Sequence, residues 1–130
     1  MILIDPSILL LYFAGDKRVA RIIELINDNK EEGCILEFSM LQLAEKLAKV
    51  FDYNEAARRL DAIKNSRIKL IGFDYEIAKK AIKIKKEYDI SFSGAYMIAL
   101  AISLNATLVT TNKRLLIEGL KVEYIEPIIK

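Results

Sequence analysis

Several chemically informative residue types are scarce or absent in this chain of 130 residues. It contains no histidine, one cysteine, two prolines and five glycines. Without histidine, the chain cannot supply an imidazole general base, a Ser-His or Cys-His pair, or histidine ligands for zinc. The single cysteine, Cys34, excludes an internal disulfide, a CxxC redox motif and a thiolate zinc site. Catalysis by this chain would therefore depend on carboxylates, hydroxyls, lysines, tyrosines or a hard metal ion.

Charge and hydropathy give little sign of a membrane or of a strongly basic surface. The net charge of +2 is too small on its own to indicate nucleic-acid binding. The longest apolar run, residues 95–104, is too short to span a bilayer, and residues 1–4 lack the basic start of a signal peptide. We therefore expect a cytoplasmic protein without membrane contact. Abundant Ile, Lys and Glu beside a single glutamine are typical of a thermophilic source.

Composition and patterning predict one folded α/β domain over residues 1–130. Hydrophobic residues make up 53% of the chain and charged residues 29%, which is typical of a folded domain rather than a disordered one. Short β-type runs alternate with longer helical patterns, as in domains with a parallel sheet. We expect a three-layer α/β/α sandwich around a five-stranded parallel sheet.

The predicted elements follow from apolar spacing and from cap residues. Strands are predicted over 2–5, 34–38, 67–72, 107–110 and 121–125. Helices are predicted over 7–13, 17–29, 40–51, 54–63 and 75–88, then from Ser91 or Ser93 onward, and over 112–118. Ser39 and Gln42 have the spacing of a capping box, and Asn54 and Asn112 are candidate N-caps.

Candidate functional residues lie where predicted strands end, because ligands of open parallel sheets bind at the carboxyl ends of the strands. Asp5 ends the first strand and Ser7 follows it, while Thr110 and Asn112 end the fourth. Glu45 lies within the third helix among leucines and alanines, where a charge needs a partner, a metal or an exposed position. Each residue also has a structural interpretation, since Asp5 and Asn112 can be helix caps and Glu45 a solvated helix residue.

Four blocks of this sequence together resemble the PIN domain over essentially the whole chain. They are the run ILIDPSILL at the start, Glu45 in the run LAE, the run YDISFSGA at 88–95, and the run ATLVTTN at 106–112. Within that family the sequence resembles the VapC-type toxin ribonucleases of prokaryotic toxin–antitoxin pairs. The resemblance implies Mg²⁺- or Mn²⁺-dependent hydrolysis of RNA by acidic side chains clustered at the strand ends.

The sequence departs from the family at two of its four acidic positions. Asp5 and Glu45 match the first two acids, and by resemblance they are the catalytic and metal-binding residues. Gly94 stands at the third position and offers no ligand, while Asn112 at the fourth offers a neutral oxygen at best. Ser7 and Thr110 are the candidate substrate-binding residues. Two carboxylates offset about one divalent ion, so we expect metal binding to be weak or absent.

Two functional interpretations of this family resemblance remain open. In the first, the protein is an impaired or inactive relative that still binds RNA or a protein partner. In the second, it is an active Mg²⁺- or Mn²⁺-dependent endoribonuclease toxin that uses Asp5, Glu45 and a further ligand. The resemblance also implies an antitoxin-like partner and a homodimer. The lysine-rich stretch 79–86 is an RNA surface or, as for many such helices, a solvated face.

A phosphoacceptor receiver domain is an alternative from another class. The length, the five βα units and the positions of Asp74 and Thr110 fit that fold. A receiver also needs an acidic pair after the first strand and a lysine after the fifth. Pro6 follows Asp5 here, and Glu126 and Pro127 follow the fifth strand, which argues against this alternative.

Overall fold

A computed structural model describes residues 1–127 of the chain. The strands are β1 (Ile2–Ile4), β2 (Gly33–Leu36), β3 (Lys69–Ile71), β4 (Thr107–Thr110) and β5 (Val122–Tyr124). The helices are α1 (Pro6–Phe13), α2 (Lys17–Asn27), α3 (Glu37–Val50), α4 (Tyr53–Lys64), α5 (Tyr75–Glu87) and α6 (Phe92–Leu104), with a 3₁₀ helix over Lys113–Leu115. The prediction of one domain over 1–130 extends past residue 127, and residues 128–130 lie outside the described part.

The five strands form one parallel sheet in the order β3-β2-β1-β4-β5. This sheet confirms the predicted α/β class. A receiver-type sheet has the order 2-1-3-4-5 instead. The fold therefore excludes the receiver alternative, because here β1 pairs directly with β4 and β3 lies at an edge.

Side chains that alternate along the strands build two cores, one on each face of the sheet. Leu3 and Leu108 point into the core shared with α5 and α6. Ile4 and Val109 point into the core shared with α1, α2, α3 and α4. Successive strand residues face opposite sides, so each central strand is apolar on both faces. The result is the predicted three-layer α/β/α arrangement.

Helix α6 is the most deeply buried helix of the described chain. Its residues from Gly94 to Ala101 are all buried, as the apolar sequence predicts. Ser91 caps it by accepting a hydrogen bond from the backbone N–H of Gly94 at 3.1 Å. This cap fixes where Gly94 lies at the start of the helix.

Two predicted helix starts and the extent of one predicted helix differ from the structure. The capping box at Ser39 is wrong, because α3 begins at Glu37 directly after β2 and buries Ser39 inside the helix. Asp52 caps α4 instead of Asn54, with its carboxylate accepting from the N–H of Glu55 at 2.9 Å. Asn112 does cap a helix, but that helix is a single 3₁₀ turn rather than the predicted segment 112–118.

No helix within residues 1–127 has the length and apolar character needed to cross a membrane.

We expect Gly33→Ala to destabilise the protein by about 1–3 kcal/mol, the usual cost of overpacking a core. A Cβ at Gly33 would collide with the side chain of Ile26, which α2 holds in the core. Gly72→Ala is the matched control, since its Cβ would meet nothing nearer than Glu37 Oε2 at 3.8 Å. Urea unfolding measures both variants. Equal stability of the two would contradict this account of the packing between α2 and β2.

Candidate functional site

The site lies where the order of strands along the chain reverses. Strand β1 pairs with β2 on one side and with β4 on the other, so the segments that leave β1 and β4 diverge at the carboxyl edge of the sheet. Such a switch point is the usual ligand crevice of an open parallel sheet. Asp5 and Asn112, which closely follow these two strands, meet here.

Asp5 is held by hydrogen bonds on three sides and is 8% exposed. Its backbone N–H donates to the carbonyl of Val109 at 3.0 Å. Its Oδ1 accepts from the backbone N–H of Ser7 at 3.2 Å, which caps α1, and its Oδ2 accepts from the hydroxyl of Thr110 at 2.6 Å. Both carboxylate oxygens are therefore engaged within the chain, although each retains a lone pair.

Thr110 lies behind Asp5 and is fully buried. Its hydroxyl donates to Asp5 and accepts from the backbone N–H of Asn112 at 3.0 Å. The side chain has no exposed surface with which to touch a substrate, so its geometry is that of a residue that positions Asp5. This differs from the substrate contact that the sequence predicts for Thr110.

Ser7 and Asn112 complete the floor of the site. The Ser7 hydroxyl is buried and has no hydrogen-bond partner among the described residues, which is rare for a buried polar atom. Asn112 Oδ1 accepts from the backbone N–H of Arg114 at 3.0 Å, so this oxygen serves as the cap of the 3₁₀ helix. The amide NH₂ of Asn112 then remains as its outward polar group.

Glu45 faces the same crevice from α3. Leu43 and Leu47 on the same helix are buried, whereas the Glu45 side chain is 70% exposed. Its Oε1 lies 3.4 Å from Nζ of Lys49, one helical turn further along. The charge of Glu45 therefore has both a partner and an exposed position, two of the three conditions expected from the sequence for a charge on this helix.

Asp5 and Glu45 line one open pocket of about 400 Å³. Its other walls are Pro6, Ser7, Gln42, Lys46, Lys49, Thr111 and Asn112. Two lysine amines thus accompany two carboxylates. Neither lysine is among the site residues that the sequence predicts. For Lys49 the available signal is its spacing of four residues from Glu45 on a helix.

Gly94 is buried at the start of α6, and the space beside it is occupied. A Cβ at this position would lie 3.0 Å from Cδ2 of Leu115 and 3.3 Å from Oγ of Ser91. Leu115 belongs to the 3₁₀ helix that Asn112 caps, and it is buried in the core. An acidic side chain at position 94 would therefore require the side chain of Leu115 to shift by a few tenths of an ångström.

The residues present do not fit a divalent ion. Among residues 1–127, no group of three or more histidine, cysteine, aspartate or glutamate side chains is placed to hold a metal. Asp89, an acid on the neighbouring loop, is fully exposed and lies 4.0 Å from Arg114. Mg²⁺ and Mn²⁺ need several oxygen ligands with compensating negative charge, and this pocket has a lysine for each carboxylate.

The cysteine adds no nucleophile to this site. Cys34 lies within β2, and its Sγ approaches the carbonyl oxygen of Ile2 at 3.5 Å. Burial raises the pKa of this thiol to about 11, so the reactive thiolate is scarce at neutral pH.

Comparison with known proteins places these residues in a family. The chain matches the PIN domain family over residues 2–117. It belongs to that family. PIN nucleases generally use divalent metals, so the poor fit of this pocket to such an ion is a departure from the family's usual chemistry.

The fold of this PIN domain is that of toxins from toxin–antitoxin systems. Its structure matches VapBC2 from Rickettsia felis, bound to a promoter DNA fragment, at a TM-score of 0.80 and 21% identity, covering 97% of this chain and 100% of that one. A toxin–antitoxin complex from Klebsiella pneumoniae matches at 0.77 and 20%, covering 95% and 96%. FitAcB from Neisseria gonorrhoeae matches at 0.72 and 18%, covering 94% and 96%. No curated protein matches the sequence.

We expect Gly94→Asp and Asn112→Asp, combined with Leu115→Val to make room, to raise Mn²⁺ affinity at least about tenfold, or 1.4 kcal/mol. The two acids would add carboxylate ligands beside Asp5 and Glu45 at the family's third and fourth acidic positions. Isothermal titration calorimetry measures the affinity. Leu115→Val alone is the control for the altered core. A folded triple variant that binds Mn²⁺ no better than this control would contradict the assignment of these positions.

Proposed function

We propose that this PIN domain protein is a VapC-like toxin relative that binds RNA at the Asp5–Glu45 pocket and has little or no nuclease activity. The observation that carries the proposal is the state of its two remaining acids. Both oxygens of Asp5 accept hydrogen bonds within the chain, and Glu45 is paired with Lys49. The remaining two family positions are Gly94 and Asn112, so the negative charge that would hold two catalytic ions is missing.

An active endoribonuclease is the competing proposal. One observation favours it, because Asp5 and Glu45 do line the same pocket and each Asp5 oxygen retains a lone pair for a cation. Such an enzyme would need one further ligand, with Asn112 as the nearest neutral candidate. Activity with Mg²⁺ or Mn²⁺ decides between the two proposals.

Cleavage of a labelled, unstructured RNA in Mn²⁺ is the decisive measurement. We expect the wild-type protein to cleave no faster than its Asp5→Asn variant or an EDTA-treated sample, because charge sufficient to hold the ions is absent. Asn at position 5 retains a side-chain oxygen for the N–H of Ser7, so the α1 cap is preserved. Cleavage that is lost in both Asp5→Asn and EDTA would overturn the impaired-enzyme proposal and favour the active toxin.

An antitoxin-like protein is the partner we propose for a second surface. An apolar groove of about 420 Å³ runs between α1 and α3, and its walls include Leu10, Phe13, Val50 and Phe51. An amphipathic helix could lay its apolar face in this groove. The structures of VapBC2 and FitAcB support this choice of partner by fold similarity.

We locate this function in the cytoplasm, where an RNA-binding toxin would meet its substrate. We also propose that the full chain forms one domain and that its source is a thermophile. The composition rich in lysine and glutamate supports the second of these.

We also propose that the protein forms a homodimer through an exposed aromatic patch, defined as Phe38, Phe73, Tyr75 and Phe92, which lies against the buried ring of Tyr96. The rings of Phe73 and Tyr96 stack with centroids 5.6 Å apart, and Phe73 is 65% exposed. An exposed apolar cluster of this kind marks an interaction site on most proteins. Three carboxylates adjoin the patch in sequence, which suits a protein surface better than a polyanion. They are Glu37, Asp74 and Glu76.

We expect Phe73→Glu to convert a dimer to a monomer, because a two-fold interface would bury the new charge twice. Light scattering after size-exclusion chromatography measures the mass. Tyr53→Glu, which alters a similarly exposed aromatic residue on α4 outside the patch, should remain dimeric. A monomeric wild type, or a Phe73→Glu variant with unchanged mass, would contradict the proposal that the aromatic patch forms the dimer interface.

A further inference from the structure

The pocket that contains Asp5 has lost the charge balance of a cation site. Its two carboxylates, Asp5 and Glu45, face two amines, Lys46 and Lys49, so their formal charges cancel. The pair Glu45–Lys49 is highly exposed on both sides, 70% and 72%. Exposed pairs of this kind contribute about 0–1 kcal/mol, so Lys49 can leave Glu45 for another anion at little cost.

The neutral groups of the pocket add hydrogen-bond donors. The Ser7 hydroxyl has essentially no accessible surface, so it is not among the donors that a ligand in this pocket reaches. Asn112 uses its Oδ1 for the N–H of Arg114, which leaves its amide NH₂ to other acceptors. Thr111 adds a hydroxyl to the same wall. A ligand with several acceptor oxygens would satisfy these donors.

Asp5 repels such a ligand less than its formal charge suggests. Its two oxygens already accept hydrogen bonds from Ser7 and Thr110, and it is largely buried behind the pocket floor. Lys46 and Lys49 are exposed, as is Glu45, whereas Asp5 lies behind the pocket floor. An approaching anion therefore meets two amines and one carboxylate before it meets Asp5.

We propose that this pocket binds a phosphodiester of single-stranded RNA without a divalent ion, with Lys46 and Lys49 supplying the charge. The inference rests on the proposed function, which supplies RNA as the ligand, and it adds how the backbone is held. A phosphodiester carries one negative charge and two acceptor oxygens, which match two amines. The lysines take over the charge neutralisation that the family's metal would provide.

The test is the affinity for a short, labelled, unstructured RNA, measured by fluorescence anisotropy in EDTA and in Mg²⁺. We expect the same affinity within about twofold in both buffers. The variant Lys46→Gln with Lys49→Gln should bind at least about tenfold more weakly. Its salt dependence should fall by about 1.4 in log–log slope, because two amines no longer neutralise phosphate charge on the single strand.

The control is Lys83→Gln with Lys86→Gln, which removes the same charge from the exposed face of α5. We expect this variant to bind like the wild type. An equal loss of affinity in both double variants would assign RNA to the lysine-rich helix instead and would overturn the inference. Binding that requires Mg²⁺, or no RNA binding at all, would also overturn it.

Two competitors identify the ligand. Inorganic phosphate and polyglutamate, added at matched charge, should displace RNA far less well than unlabelled RNA does. Displacement by phosphate would make the pocket a free-anion site, and displacement by polyglutamate would make it a site for an acidic protein; either result would overturn the inference. Cleavage in Mn²⁺ is scored separately, so metal-free binding by an active nuclease would refute the impaired-enzyme proposal and leave this inference standing.

Discussion

The hydrogen bonds of Asp5 hold together the three elements on which the site depends. One residue ties the end of β1 to β4 through its backbone, caps α1 through Oδ1 and holds the hydroxyl of Thr110 through Oδ2. Removing the carboxylate would leave buried Thr110 without its acceptor, which costs about 1–3 kcal/mol for a buried polar group. Asp5 therefore stabilises the fold whether or not a metal binds.

Gly94 and Asn112, the two positions where the family resemblance leads us to expect acids, differ in what a change would require. Asn112 preserves the shape and the capping oxygen of an aspartate, so the loop after β4 needs no rearrangement. A Cβ at Gly94 would lie 3.0 Å from a methyl group of Leu115, which would have to shift by a few tenths of an ångström. A side chain at 94 therefore needs a small adjustment of the core, whereas an acid at 112 is a change of charge alone.

The sequence predicts the fold closely because each central strand is short and apolar on both faces. Adjacent apolar residues such as Leu3 and Ile4, which are buried on opposite faces, indicate a central strand of a parallel sheet. Helix starts are less predictable. The sequence favours Ser39 as a cap, but β2 passes into α3 without a loop, which only the tertiary arrangement determines. Among the site residues, Asp5 is predictable from its place at a strand end. The pairing of Glu45 with Lys49 depends on which face of α3 the core leaves exposed.

Amines and metal ions hold a phosphate differently, and this explains how binding and cleavage can separate in one fold. A divalent ion activates water and stabilises charge that develops on the scissile phosphate, so it acts mainly in the transition state. Lys46 and Lys49 can neutralise the charge of a bound phosphate, but an ammonium group does not activate a water as a divalent ion does. Binding by these amines therefore supplies no nucleophile for cleavage. With no histidine in the chain and a buried thiol at Cys34, the pocket lacks those two alternatives to a metal-activated water.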